Sequence, residues 1–348
     1  MKKKAFSIWE KYVCLYRQKY SVVFDNTLSY NMKMTDKELT EAILQLKKEK
    51  NAVILGHYYQ RDEIQALSDF TGDSLALAQV ARKAECDMIV FCGVHFMAET
   101  AKILNPDKKV VLPDMEASCS LAESCKAEDF GPFRAVHPDH MVVSYVNCTA
   151  EIKAMSDLIC TSGNAEQLIN ALPADQKIIF APDKNLGGYI NAKTGRNMLL
   201  WDGVCTVHDA LQAESFIKLK AEHPKAKMIA HPECNAAVLQ VADFVGSTKA
   251  MLNYIASTDA QEIIVGTEPG ILYEMKKACP EKTYLVSPTT ETCSCNDCSY
   301  MKLNTLEKLY RCMVDEGPEI LLSDELIARA KQPIVRMLDM SQQLGLIK

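Results

Sequence analysis

Short apolar runs recur along the chain. Each ends in a small or polar residue, and most are followed by a stretch with helical spacing. AVILG (52–56), a very short run near Phe70–Thr71, DMIVFCG (87–93) and KVVLP (109–113) read as buried parallel strands. Thr35 followed by Glu38 is a capping-box pattern that opens a helix through about Lys50. Residues 60–68, LALAQVARKA and FMAETAKIL read as the intervening helices. The order then returns: MVVSY, LIC, KIIFAP and NMLLW, with a helical or loop stretch at 184–196. It returns once more as KMIAH, FV, EIIVG and TYLVS, with a helix at about 269–278. Strand–helix alternation with short loops predicts parallel sheets flanked by helices.

One stretch is written three times, at Asn51–Ser74, Met141–Ser162 and Lys227–Thr248. Aligned on Asp69, Asp157 and Asp243, the copies place His57, Tyr145 and His231 each 12 residues upstream, and Ser74, Ser162 and Thr248 each 5 downstream. Equal gaps in three places argue for three copies of one structural unit. The expected fold is α/β: three similar three-layer α/β/α domains with parallel sheets around a pseudo-threefold axis. The domains are expected at 35–126, 127–208 and 209–300, after an N-terminal extension at 1–34 that matches no repeat. A C-terminal helical segment at 301–348 is expected to pack back on them.

This layout carries a functional expectation. Ligands of parallel α/β sheets bind outside the carboxyl ends of the strands. His57, Tyr145 and His231 fall there, and Tyr59, Asn147 and Glu233 follow two residues later. Ser74, Ser162 and the pair Ser247–Thr248 precede helical stretches and read as N-caps, where free N–H groups suit a carboxylate or phosphate. For any single Ser or Thr a plain cap is the simpler explanation; three at identical spacing favour a shared anion site. His57, Tyr59, His231 and Glu233 are candidates for proton transfer, and Tyr145 and Asn147 for orienting a carboxylate.

Composition narrows the classes. Hydrophobic content is 48%, charged content 24% and net charge -6, so a soluble globular protein is expected and nucleic-acid binding is not. No apolar run reaches the length of a membrane span, and Glu10 and Lys11 interrupt the only apolar start, so neither membrane insertion nor a signal peptide is expected. Fourteen cysteines without a leader point to a reducing compartment, hence the cytoplasm, and to thiols or metal ligands. Cys14, Cys86, Cys279 and Cys312 read as buried apolar residues. Cys92, Cys205 and the group Cys293, Cys295 and Cys298 follow strands at one end of each sheet, so three thiolates could meet around an iron–sulfur cluster or a zinc ion. Cys119 and Cys125 also follow a fourth strand and are rival ligands, and a local site built from Cys293, Cys295 and Cys298 is another arrangement. A zinc-dependent hydrolase or deaminase, and a cluster-containing sugar-phosphate sensor, are the competing functional readings.

Over about residues 36–340 the chain resembles the quinolinate synthase family. ILGHYYQ, GDSL, GVHFMAETAKILNP, YVNCTAEIKA, CTSGNA, PDKNLG, Cys205-Thr-Val-His, HPEC, VGST and CSYMKLN match in the family's order. Two local departures stand out: Tyr58 where many relatives have asparagine, and C-x-C-x-x-C where many have C-x-x-C-x-x-C. The resemblance implies three related α/β domains around a central, oxygen-sensitive [4Fe–4S] cluster. It implies condensation of iminoaspartate with dihydroxyacetone phosphate to quinolinate, with loss of phosphate and two waters. It also implies a functional link to an L-aspartate oxidase or dehydrogenase that supplies iminoaspartate. Carried over by motif, Cys92, Cys205 and Cys298 are the implied cluster ligands. The implied substrate positions are His57, Ser74, Tyr145, Asn147, Ser162, His231, Glu233 and Thr248, with Ser247 adjacent. Three ligands for four irons leave one iron open as a Lewis acid, and the proton transfers fall to His57, Tyr59, His231 and Glu233.

Overall fold

Why the repeat aspartate is constant is visible in its hydrogen bonds. Asp69 Oδ2 accepts from Ile54 N at 2.8 Å, Asp157 Oδ2 from Val142 N at 2.8 Å, and Asp243 Oδ2 from Met228 N at 2.9 Å. The backbone N–H of each aspartate donates back to the same residue's carbonyl. One side chain therefore occupies the amide at the start of a buried strand and pins the entry of the next strand beside it. The fixed spacing is a folding device repeated three times.

The computed structural model describes residues 34–286 and 296–347. Cys14, Cys293, Cys295 and the extension at 1–33 lie outside the described residues, so the expectations placed on them have no structural counterpart here. The first repeat contributes β1 (Ala52–His57), β2 (Phe70–Gly72), β3 (Met88–Cys92) and β4 (Lys109–Val111). The second contributes β5 (Met141–Tyr145), β6 (Leu158–Cys160), β7 (Ile178–Ala181) and β8 (Leu199–Leu200). The third contributes β9 (Lys227–Ala230), β10 (Phe244–Val245), β11 (Glu262–Gly266) and β12 (Thr283–Val286). The three sheets are ordered β2-β1-β3-β4, β6-β5-β7-β8 and β10-β9-β11-β12, and every pairing is parallel. The expected α/β class with three parallel sheets is thus what the chain adopts. In each sheet the order reverses beside the first strand, which opens a crevice at that strand's carboxyl end.

Apolar runs explain the sheets. Ile54, Leu55, Val90, Val143, Ile179, Ile229 and Ile264 are buried in layers covered by helices. Two C-terminal helices complete the cover. Leu306–Asp315 packs on Asp36–Glu49, and Asp324–Gln343 packs on Ala150–Ala154 and β6. Ile334 and Met337 of the longer helix are fully buried, and each contributes about 1.5–3 kcal/mol of apolar burial. Cys86, Cys279 and Cys312 are buried, as expected of small apolar residues.

The caps differ from the expectation. The helix Ser74–Lys83 is capped by Asp73, whose carboxylate accepts from Ala76 N at 2.9 Å; Ser74 is its first residue. Asparagine and aspartate compete well for this position, and Asp73 meets the free amides first. Ser162 caps nothing: the next helix begins at Ala165, and Asn164 folds back to accept from Thr161 N. In the third copy Ser247 is the cap, accepting from Ala250 N at 3.3 Å, and Thr248 opens the helix.

Candidate active site

A cavity of about 600 Å³ receives all three strand ends. His57, Tyr59 and Ser74 reach it from the first repeat, Tyr145, Asn147 and Ser162 from the second, and His231, Glu233 and Thr248 from the third. These are the expected positions, now on one surface. Ser247 does not line it; its side chain is spent on the cap beneath Thr248. No lysine or arginine is among the described residues that line the cavity.

Glu233 is the hub. Tyr145 Oη donates to its Oε1 at 2.5 Å, Asn147 Nδ2 to the same oxygen at 3.3 Å, and His208 Nδ1 lies 2.8 Å from Oε2. Burial works against the charge of Glu233, but His208, His231 and the hydrogen bonds from His208 and Tyr145 outweigh it and hold the carboxylate below its ordinary value. The same neighbourhood acts oppositely on the phenols. Burial first, then the charge of Glu233, push Tyr59 and Tyr145 well above the usual tyrosine value, so both keep their protons.

The two repeat histidines share a tautomer. Tyr59 N donates to His57 Nδ1 at 3.1 Å, and Glu233 N to His231 Nδ1 at 3.4 Å. An amide two residues on occupies Nδ1 in both copies, so Nε2 carries the proton. His231 Nε2 lies 3.2 Å from Ser162 Oγ. Burial lowers both imidazoles to about 3, so they are neutral hydrogen-bond donors at neutral pH.

The thiols require a correction. Cys92 ends β3 with no exposed surface, does not line the cavity, and has Cys312 as the thiol whose charge it senses. Alternation along the strand turns its side chain into the apolar layer. Cys119 lines the cavity in its place, together with Cys205 and Cys298. Burial pushes Cys119 up to about 12, with Cys298 adding to the rise, and Cys205 is raised by burial, Glu233 and Cys119. Cys119 therefore lies within electrostatic reach of both Cys205 and Cys298. Each follows the fourth strand of its own repeat, and that shared position is the signal by which the sequence separates Cys119 from Cys92.

Three further residues take a place in the site that the sequence-based expectations do not give them, His208 among them although it closes the Cys205-Thr-Val-His motif. His208 stands three residues after Cys205 and stacks on His231, with ring centroids 4.8 Å apart. Thr267 follows β11 and contacts both His208 and Tyr59. Glu268, fully buried, accepts from Gly270 N at 2.6 Å and Cys298 N at 3.2 Å, and pairs with Lys302 at 2.9 Å. Lys302 Nζ also donates to Tyr59 O at 2.8 Å, so one ion pair ties the Cys298 segment to the turn that carries Tyr59. A Cβ on Gly270 would come within 2.8 Å of the Tyr59 backbone, which restricts that position to glycine.

Donor chemistry fits an iron–sulfur group. Three thiols from three repeats face one buried space, and thiolate is the ligand that such clusters take. Among the described residues, no fourth cysteine lines that space.

Comparison with known proteins agrees with this geometry. The family model described as Quinolinate synthetase A protein (NadA) matches residues 41–339. The quinolinate synthase of Microcystis aeruginosa (strain NIES-843 / IAM M-2473) is 57% identical over 304 residues, covering 87% of this chain and 95% of the relative. That of Synechocystis sp. is 56% identical over 305 residues, covering 88% and 96%. That of Chloroherpeton thalassium is 55% identical over 312 residues, covering 89% and 97%. A match over nearly the whole of each relative, joined to three parallel sheets that deliver histidine, tyrosine and glutamate to one cavity, settles the family: the chain belongs to the quinolinate synthetase A proteins.

Proposed function

We propose that the chain is a quinolinate synthase that condenses iminoaspartate with dihydroxyacetone phosphate, releasing phosphate and two waters. The observation that carries this is the convergence of three repeat-derived polar pairs and three thiols on one cavity. Family membership favours this activity over a zinc hydrolase or a sensor.

Cys119, Cys205 and Cys298 would hold a [4Fe–4S] cluster. When bound, the cluster supplies an iron without a protein sulfur, a Lewis acid for a substrate hydroxyl or carboxylate. The substrates carry a phosphate and two carboxylates, yet the described lining has no lysine or arginine. Their charge is met by the helix N-termini at Ser74 and Thr248, by the hydroxyls of Ser74, Ser162 and Thr248, and by the Nε2–H groups of His57 and His231. Asn147 Oδ1 is buried without a protein partner, an acceptor left for a ligand. Tyr59, kept protonated by burial, is the proton donor of the site, and Glu233, kept ionised, is its acceptor.

No helix among the described residues is long and apolar enough to cross a membrane, and we place the protein in the cytoplasm, beside an L-aspartate oxidase or dehydrogenase that supplies iminoaspartate. Anaerobically purified, iron-loaded protein given both substrates tests the reading. It predicts stoichiometric quinolinate and phosphate; substrate binding without product would overturn it.

A further inference from the structure

Thr267 follows the last residue of β11, is fully buried, and belongs to none of the repeat positions. Its hydroxyl lies 2.7 Å from Tyr59 Oη and 2.8 Å from His208 Nε2. His208 Nδ1 lies 2.8 Å from Glu233 Oε2, and Tyr145 Oη donates to the other oxygen of Glu233. Five side chains therefore form an unbroken hydrogen-bonded row: Tyr59, Thr267, His208, Glu233, Tyr145.

A threonine hydroxyl carries one proton. With two partners in reach, Thr267 donates to one and accepts from the other. If it donates to His208 Nε2, Tyr59 donates to Thr267 and turns its lone pairs to the cavity. If it accepts from His208, it donates to Tyr59 and the phenol proton is turned to the cavity. Either way the direction of the Tyr59 O–H is set by the nitrogen that His208 presents. Without the hydroxyl, Tyr59 Oη and His208 Nε2 lose their common partner and the two ends of the row become independent.

We infer that Thr267 is a positioning residue whose hydroxyl aims the Tyr59 phenol and fixes His208 against Glu233. The inference rests on the assignment of Tyr59 and Glu233 as proton donor and acceptor of the proposed reaction.

Two variants separate the hydroxyl from the packing. Thr267→Val keeps the shape and removes the oxygen; Thr267→Ser keeps the oxygen. In iron-loaded protein, T267V is expected to lower kcat 10- to 100-fold, with KM within twofold and iron content unchanged; the loss of two buried hydrogen bonds also lowers its thermal midpoint, so kcat is compared at a temperature where both variants are folded. T267S is expected to stay within about threefold of the wild-type kcat. Long-range 1H–15N spectra of histidine-labelled protein give a second readout that needs no turnover. One Nε2 resonance should shift in T267V and hold its place in T267S. Wild-type kcat in T267V, an equal loss in both variants, or histidine spectra unchanged in T267V would each overturn the inference. A wild-type protein that makes no quinolinate would strike the proposed reaction instead, and the histidine spectra would still decide whether Thr267 fixes His208.

Discussion

Tyr145 Oη donates to Glu233 Oε1 at 2.5 Å, joining the strand end of the second repeat to that of the third. The same carboxylate is met by His208 through its other oxygen. A group so held has a defined direction and charge, which a proton acceptor needs. Glu233→Gln keeps the shape and removes the charge, and it should lower kcat about 100-fold or more in iron-loaded protein. Tyr145→Phe removes one of the hydrogen bonds and should lower kcat less, about tenfold. Steady-state rates of quinolinate formation at matched iron content check both.

Asp157 makes a contrasting prediction. It holds the Val142 amide and does not line the cavity. Val142 is fully buried, so Asp157→Ala leaves its N–H without an acceptor and should cost about 1–3 kcal/mol of stability. Turnover of the folded variant should stay within about twofold of the wild type. Denaturant unfolding together with kcat measures the two effects separately. A large loss of kcat in stable protein would give the repeat aspartate a catalytic role that its position does not supply.

His57 sets an acid limit on stability. Burial, with the nearby His231, lowers its folded value to about 3 from 6.5. A depressed value means that the unfolded chain binds the proton first. The stabilisation is complete above about pH 6.5 and is lost as pH falls toward 3, at up to about 1.4 kcal/mol per pH unit. His57→Asn removes this proton uptake. Relative to the variant, the wild type should lose about 2 kcal/mol between pH 8 and pH 5. Unfolding free energies across that range check the sign: equal pH slopes for the two proteins would contradict it.

Much of this was legible in the sequence, for identifiable reasons. Buried parallel strands are apolar on both faces, so AVILGH, MVVSY and EIIVG announce themselves, and the chain order of the repeats fixes the topology. His57, Tyr145 and His231 were found because the repeat aspartate acts on backbone within the same unit, at constant spacing. Contacts between repeats carry no such spacing. The Thr267–Tyr59 hydrogen bond joins residues 208 positions apart, and the Glu268–Lys302 pair only acquires meaning once Cys298 and Tyr59 are neighbours. Caps failed where adjacent residues compete: Asp73 precedes Ser74, and Asn164 closes its turn on Thr161. A strand end does not say which way its side chain turns, and that of Cys92 does not reach the cavity. Its place at the end of a third strand, where Cys119, Cys205 and Cys298 all follow fourth strands, was the available warning.

The thiols of Cys119, Cys205 and Cys298 line the cavity shared by the three repeats, an arrangement suited to one cluster. Iron and sulfide content, measured after anaerobic reconstitution of Cys119→Ala and Cys92→Ala, tests it most directly. Cys119→Ala is expected to fail to retain a [4Fe–4S] cluster, whereas Cys92→Ala, which loses only a buried apolar contact, should load four irons and four sulfides like the wild type. A loaded Cys119→Ala protein beside an empty Cys92→Ala protein would contradict it.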